Sequence, residues 1–213
     1  MLEINSTSVG APDRFLSLPA LEEGLSNLPS AGEDNGRVAL LMRRAEGGRR
    51  EILDRAELNP ETGVPGDSWA RSTTRKPDMQ IAVMQRDVAE LIANGQPLTL
   101  FGDCLILELD LSIDNLPVGS RVQVGNSLLE VTPEAHNGCK KFRARFGADA
   151  LRFVSMRELR RRNLRGIYMR VVDGGEVAAD DSAVVRSRGQ PLRTDPFGDS
   201  QGHREKTSTG DAT

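Results

Sequence analysis

The run Arg121-Val-Gln-Val-Gly-Asn-Ser-Leu-Leu-Glu-Val131 holds two short segments, 121–124 and 128–131, on either side of the pair Gly125-Asn126. Alternation with a period of two puts apolar side chains on one face of an extended chain, and Gly-Asn suits the positive backbone angles of a tight turn. The run therefore predicts two half-buried strands. Upstream, Cys104-Leu-Ile-Leu-Glu-Leu-Asp-Leu111 repeats the pattern, with Leu105, Leu107, Leu109 and Leu111 on one face and Glu108 and Asp110 on the other. Val38, Leu40 and Met42 form a third such face, Gly47-Gly48 reads as a turn, and 50–53 as the returning strand.

Further strands are expected at 79–84, ahead of a helix at 85–93 stopped by Asn94-Gly95, and at 167–172 and 176–185, a closing hairpin around Asp173-Gly174-Gly175. From Lys140 to about residue 164 the composition turns helical and basic, with interruptions near Gly147 and Ser155. About eight short strands with two helical insertions predict a mainly β (α+β) fold, a closed β-barrel that pairs its own edges. The alternation of strand and long helix found in doubly wound sheets is missing.

A chain of 213 residues is sized for one domain, and its 21 glycines and 11 prolines favour short strands joined by turns. Residues 1–36 read as an irregular N-terminal arm with a short helical stretch around 18–28, residues 37–187 as the domain, and the polar stretch 188–213 as a disordered tail. No apolar run approaches the roughly 20 residues of a membrane helix, and the first ten residues lack signal-peptide features. The expectation is a cytoplasmic protein with no membrane partner, in which Cys104 and Cys139 both stay thiols.

The net charge of −3 hides an asymmetry: residues 140–170 carry eleven Lys and Arg against only Asp149 and Glu158. Such a stretch serves an anionic ligand or forms a solvated face. A nucleic-acid-binding module is one alternative, but an aromatic content of 4% and an acidic whole argue against base stacking on a basic surface.

Cys139 lies in Glu134-Ala-His-Asn-Gly-Cys-Lys-Lys-Phe-Arg143, where a loop gives way to a basic helix. A helix start flanked by Lys140, Lys141, Arg143 and Arg145 is the kind of field that favours a reactive thiolate, and Gly138 lets a ligand approach the backbone. His136, three residues before the thiol, can orient or protonate it, or simply bond within its loop. Cys104 begins an apolar strand and reads as a small core residue. Two cysteines and two histidines fall short of a structural zinc site in this arrangement. Phosphate-loop, dinucleotide, HExxH and GxSxG signatures are all missing.

The stretch from His136 to Gly147, followed by Leu164-Arg-Gly-Ile-Tyr-Met-Arg-Val-Val-Asp-Gly-Gly-Glu-Val177, resembles the C-terminal half of the MOSC domain, the module at the C-terminus of molybdenum cofactor sulfurases. Val64-Pro-Gly-Asp-Ser-Trp69 resembles the family's glycine-aspartate turn, and Phe101-Gly-Asp-Cys104 with Leu116-Pro-Val-Gly-Ser-Arg121 its central strands. The likeness runs from about Arg37 to Val185. Ser68 departs from an arginine common after the Gly-Asp pair, and Asp180-Asp181 from a closing Gly-Asp.

The resemblance implies a barrel related to the pyruvate kinase insert domain and a cysteine, here Cys139, that carries sulfane sulfur or ligates molybdenum. With it goes the molybdenum cofactor as the expected ligand; the chemistry of the basic segment puts Lys140, Lys141, Arg143, Arg145 and Arg165 on its phosphate, with His136 beside the thiol. Pyridoxal phosphate belongs, in the family's sulfurases, to a separate domain or partner, so a sulfur-donating desulfurase is the other implied partner. The activity implied is molybdenum-cofactor-dependent oxidoreduction, including reduction of N-hydroxylated compounds, or sulfur transfer; a metal-free persulfide carrier is the alternative.

Overall fold

Strand β1 (Asn35–Arg44) runs the length of one side of a barrel and belongs to two neighbours at once. It pairs antiparallel with β5 (Leu105–Leu107) and, at its start, with β10 (Ser182–Ser187), through Asn35 opposite Val184 and Arg37 opposite Ser182. The other strands are β4 (Ile81–Gln85), β6 (Arg121–Val124), β7 (Ser127–Val131) and β8 (Ile167–Asp173). The order β10-β6-β7-β8-β4-β5-β1 returns to β10, so seven strands close into a mixed barrel whose parallel neighbours are β4 and β5. Strand β2 (Arg50–Ile52) extends the far end of β1, and β3 (Arg55–Leu58) pairs with β9 (Gly175–Ala178) as a separate ribbon. The structure, a computed structural model, describes residues 8–190.

Two apolar clusters share the strands. Inside the barrel lie Val38, Leu41, Leu105, Leu107, Val122, Leu129 and Met169. Outside it, Met84 and Ile106 face Leu21, Ile92, Phe146 and Phe153 from three helices: α1 (Leu18–Asn27), α3 (Arg86–Ala93) and α4 (Lys140–Val154). β4 and β5 are buried along their whole length. Their continuous apolar sequences, Ile81-Ala-Val-Met and Leu105-Ile-Leu, fit strands covered on both faces. A single-turn helix, α2 (Ser68–Arg71), follows the Gly66-Asp67 turn.

The expected closed, mainly β barrel is what forms, and three local expectations change. A bulge between Val38 and Leu40 breaks the simple alternation of β1, so Leu41 rather than Leu40 joins Val38 in the barrel interior. β5 stops at Leu107, because the carboxylate of Asp110 captures the backbone N–H and hydroxyl of Ser112 and turns the chain; Leu109 and Leu111 stay in the core as predicted. Segments 167–172 and 176–185 do not form a hairpin: β8 joins β7 and β4, β9 leaves the barrel for β3, and β10 joins β6 and β1. Within the arm read at 1–36, the short helix foreseen near 18–28 is α1, and its Leu21 and Leu25 are buried against the domain.

At the other end, the side chain of Arg188 bonds to Asn115, Asp34 and the carbonyl of Glu33, so the chain is held past the boundary placed at 187. Residues 191–213, the rest of the stretch read as a tail, lie outside the described residues.

Candidate functional site

The loop after β7 brings His136 and Cys139 to one end of the barrel, beside the end of β1, the start of β2 and the residues that precede β5 and β8. A cavity of about 830 Å³ opens there, lined among others by Arg44, Arg50, His136, Cys139, Arg145 and Arg165. Cys139 is the N-cap residue of α4; its side chain makes no capping bond, and it is exposed. Helix α4 breaks at Gly147, whose φ of +91° interrupts the helical path, and the ring of Phe15 sits 3.0 Å from where a β-carbon would stand. The stretch between Cys139 and that break is therefore one short helical segment, not a long helix.

Asp103 is the anchor of the cavity floor. It is fully buried, and both its oxygens accept from the Arg165 guanidinium, at 2.9 and 3.1 Å. Burial pushes its carboxyl up, while Arg165, Arg44 and Arg50 act in the opposite sense. Arg165 reaches this position because Gly166, at φ +93°, lets the chain pass against β4: a β-carbon there would lie 2.1 Å from the carbonyl oxygen of Val83. The other face of Arg165 lies 5.3 Å over the ring of Phe142, which packs with Phe101 and Phe146. The chain has few aromatic residues, and three of them form this wall.

His136 packs at a tilt of 35° against Tyr168, ring centroids 4.2 Å apart, and its imidazole is only 6% exposed. Its Nδ1 stands 3.5 Å from Asp103 yet makes no hydrogen bond. Burial first, then Arg165 and Arg44, hold the imidazole well below its usual value of 6.5, so it is neutral. Arg44 is fixed by Asp67, which accepts from its Nε at 2.9 Å, its Nη2 at 2.6 Å and its backbone N–H at 2.8 Å, and also caps α2 through Trp69. The remaining charge is less well balanced: burial, Arg145 and Arg44 pull Arg50 down to about 10, with only Asp103 opposing them. Among the described residues, Arg50 Nη1 and Arg165 Nε are buried without a hydrogen-bond partner. Five cations on one lining, Arg44, Arg50, Lys141, Arg145 and Arg165, make the cavity a place suited to an anion.

Of the residues singled out from sequence, Cys139, His136, Lys141, Arg145 and Arg165 line this cavity. Lys140 and Arg143 are exposed and do not line it, because successive positions of a helical turn face different directions. The basic run is not one surface: Arg165 is buried on Asp103, while Arg161 pairs with Asp114 and Arg170 with Glu130. Arg44, Arg50, Asp103 and Tyr168 were not recognised as site residues. Asp103 carried a signal, since a carboxylate between Phe101-Gly102 and the apolar strand 104–107 is buried beyond the reach of water and needs a cation. The arginines of β1 and β2 carried none, because their meeting with the cysteine loop is a product of barrel closure.

The MOSC domain model matches residues 70–184, more than half of the chain. This chain belongs to the MOSC family. The match covers the cysteine loop, Asp103 and Arg165 but begins after Arg44, Arg50 and Asp67, so part of the cavity wall of this MOSC protein lies outside the matched segment. Among solved structures, the YuaD protein from Bacillus subtilis superposes with a TM-score of 0.54 at 16% identity, over 73% of this chain and 97% of that one. A crystal structure of a hypothetical protein gives 0.52 at 18% identity, over 71% and 68%. YiiM from Escherichia coli gives 0.49 at 20% identity, over 72% and 71%. No curated protein matches the sequence. The first two likenesses concern the fold, and they agree with the MOSC barrel traced above.

Proposed function

We propose that this MOSC domain binds the molybdenum cofactor in the cavity at the end of its barrel, with Cys139 as thiolate ligand or sulfur donor. The observation that carries the reading is the meeting of one exposed thiol with the arginines Arg50, Arg145 and Arg165 in the lining of a single cavity. Soft thiolate suits a thiophilic metal, and arginine suits the phosphate of a pterin. Among the described residues no group of three or more His, Cys, Asp or Glu could hold a bare metal ion. A metal here would have to arrive with ligands of its own, leaving one position for Cys139.

Cys139 would hold the metal, and Arg50, Arg145 and Arg165, with Lys141 at the rim, would hold the anionic part of the cofactor. When bound, the cofactor would supply two-electron redox chemistry, the basis for reduction of N-hydroxylated compounds. The chain's own contribution is positional: Asp103 fixes Arg165, Asp67 fixes Arg44, and the buried aromatic wall excludes water from one side. The unit we assign to this work is residues 37–187, with α1 as an outer layer. A cytoplasmic setting fits, because the free thiol has to stay reduced. No described helix is long and apolar enough to cross a membrane.

The test is elemental. Wild type and Cys139→Ser are purified from cells making active molybdenum cofactor, and metal content and intact mass are compared. Wild type should carry molybdenum or an added sulfur and the variant neither, with the variant no less stable to unfolding, since the site is exposed and serine is a favoured N-cap residue. Equal loading of both proteins sinks the reading.

A further inference from the structure

The cavity also describes a small ligand that needs no metal. Arg50 Nη1 and Arg165 Nε are buried donors without partners among the described residues, and Arg165 as a residue is 8% exposed. His136, on a ring 6% exposed, stands on the same lining as a neutral group that does not repel an anion's charge. Arg145, itself buried, adds charge to the same cavity that Cys139 lines. Glu46 is the carboxylate on the cavity lining, while Asp67 and Asp103 are committed to Arg44 and Arg165. A compact dianion with oxygens in several directions suits the cationic lining made by Arg50, Arg145 and Arg165 better than a flat carboxylate does.

We propose that this cavity is a sulfurtransferase site in which Arg50 and Arg165 hold the sulfonate end of thiosulfate, or of a close thiosulfonate relative, while Cys139 takes its sulfane sulfur. The proposal rests on reading Cys139 as the sulfur-bearing residue, and not on cofactor binding. The Cys139 thiolate attacks the outer sulfur, a new S–S bond forms, and the old S–S bond breaks with its electron pair leaving on sulfite. The products are a Cys139 persulfide and sulfite. The thiol's proton passes to sulfite or to solvent. Sulfane sulfur moves from one sulfur nucleophile to another, so no outside oxidant or reductant enters. The arginines recognise the charge that the leaving sulfite keeps, which stabilises departure as well as binding.

The experiment uses the full chain from cells unable to make molybdenum cofactor, so that its result is separate from that of metal loading. Thiosulfate is added without an acceptor, and sulfite release and intact mass are followed. One sulfite per chain, with a mass gain of one sulfur located on Cys139 and lost in Cys139→Ser, is the expected result. A neutral organic trisulfide is the second probe. Arg50→Gln should lower the preference for thiosulfate over the trisulfide by about tenfold or more, the worth of a charged hydrogen bond, and Arg50→Lys should restore part of it. No sulfite from wild type overturns the proposal. So does an Arg50→Gln protein that keeps its melting temperature and its preference, or that loses both probes in equal measure.

Discussion

His136 and Cys139 lie three residues apart and live in different environments. The imidazole is enclosed by Tyr168, Asp103, Arg165 and Arg44, and burial keeps it neutral well below its usual value of 6.5. Below about pH 6.5 the unfolded chain accepts a proton here that the folded chain refuses, so this contribution is complete above that pH and is lost as pH falls, by about 1.4 kcal/mol per unit. Urea unfolding of wild type and His136→Gln from neutral to acid pH should show the wild type losing stability faster. Parallel curves would remove the linkage. The two thiols differ in the same manner: burial pushes Cys104 up to about 12, and it accepts a 3.7 Å contact from Arg44, whereas Cys139 is exposed. A maleimide should modify native Cys139 first and Cys104 only on unfolding; equal rates in the native state would contradict this. Cys139, His136 and Arg165 were legible in the sequence because glycines and charges surround them within a few residues. Arg50 was not, since nothing local to β2 records that it will face a loop almost ninety positions away.

At the level of elements, the turn between β9 and β10 shows what a departure from the family pattern does. Asp180 stands where glycine usually precedes the aspartate, and its φ is +65°, in the left-handed region. The turn holds regardless, because Asp180 N–H donates to Val38 and Asp181 accepts the N–H of Ala178 at 2.7 Å. Asp180→Gly should remove strain of about 1 kcal/mol, less the extra freedom glycine gains when unfolded, and should raise the urea midpoint. A lower midpoint would show that the aspartate is favoured in this turn. Strands were readable from alternation wherever one face meets the core, as in β6 and β7. Pairing was less readable: the β1 bulge and the separation of β8 from β9 depend on partners far away in sequence, and a turn sequence such as Asp173-Gly174-Gly175 serves a hairpin or a parting of strands equally well.

For the whole molecule, the ends of the described chain are structural. Arg188 bonds to Asp34 at 2.8 Å and to the side chain of Asn115 at 2.7 Å, and Gly189 N–H reaches Ser120 at 3.0 Å. Asn115 in turn donates to Glu33 and Asp110, so residues from three distant regions share one polar junction. A chain ended after Ser187 should be less stable than one ended after Gln190 by about 1–3 kcal/mol, read as a drop in melting temperature. Identical melting would make the junction ornamental. The seam beside it, β1 against β10, joins the first strand of the barrel to the last. On the ribosome, the first of these strands emerges long before the last has been translated, and until then the barrel stands open with an unsatisfied edge. Closure is therefore a late event in the life of each new molecule, and until it happens the start of β1 is an open edge that a neighbouring chain could pair with.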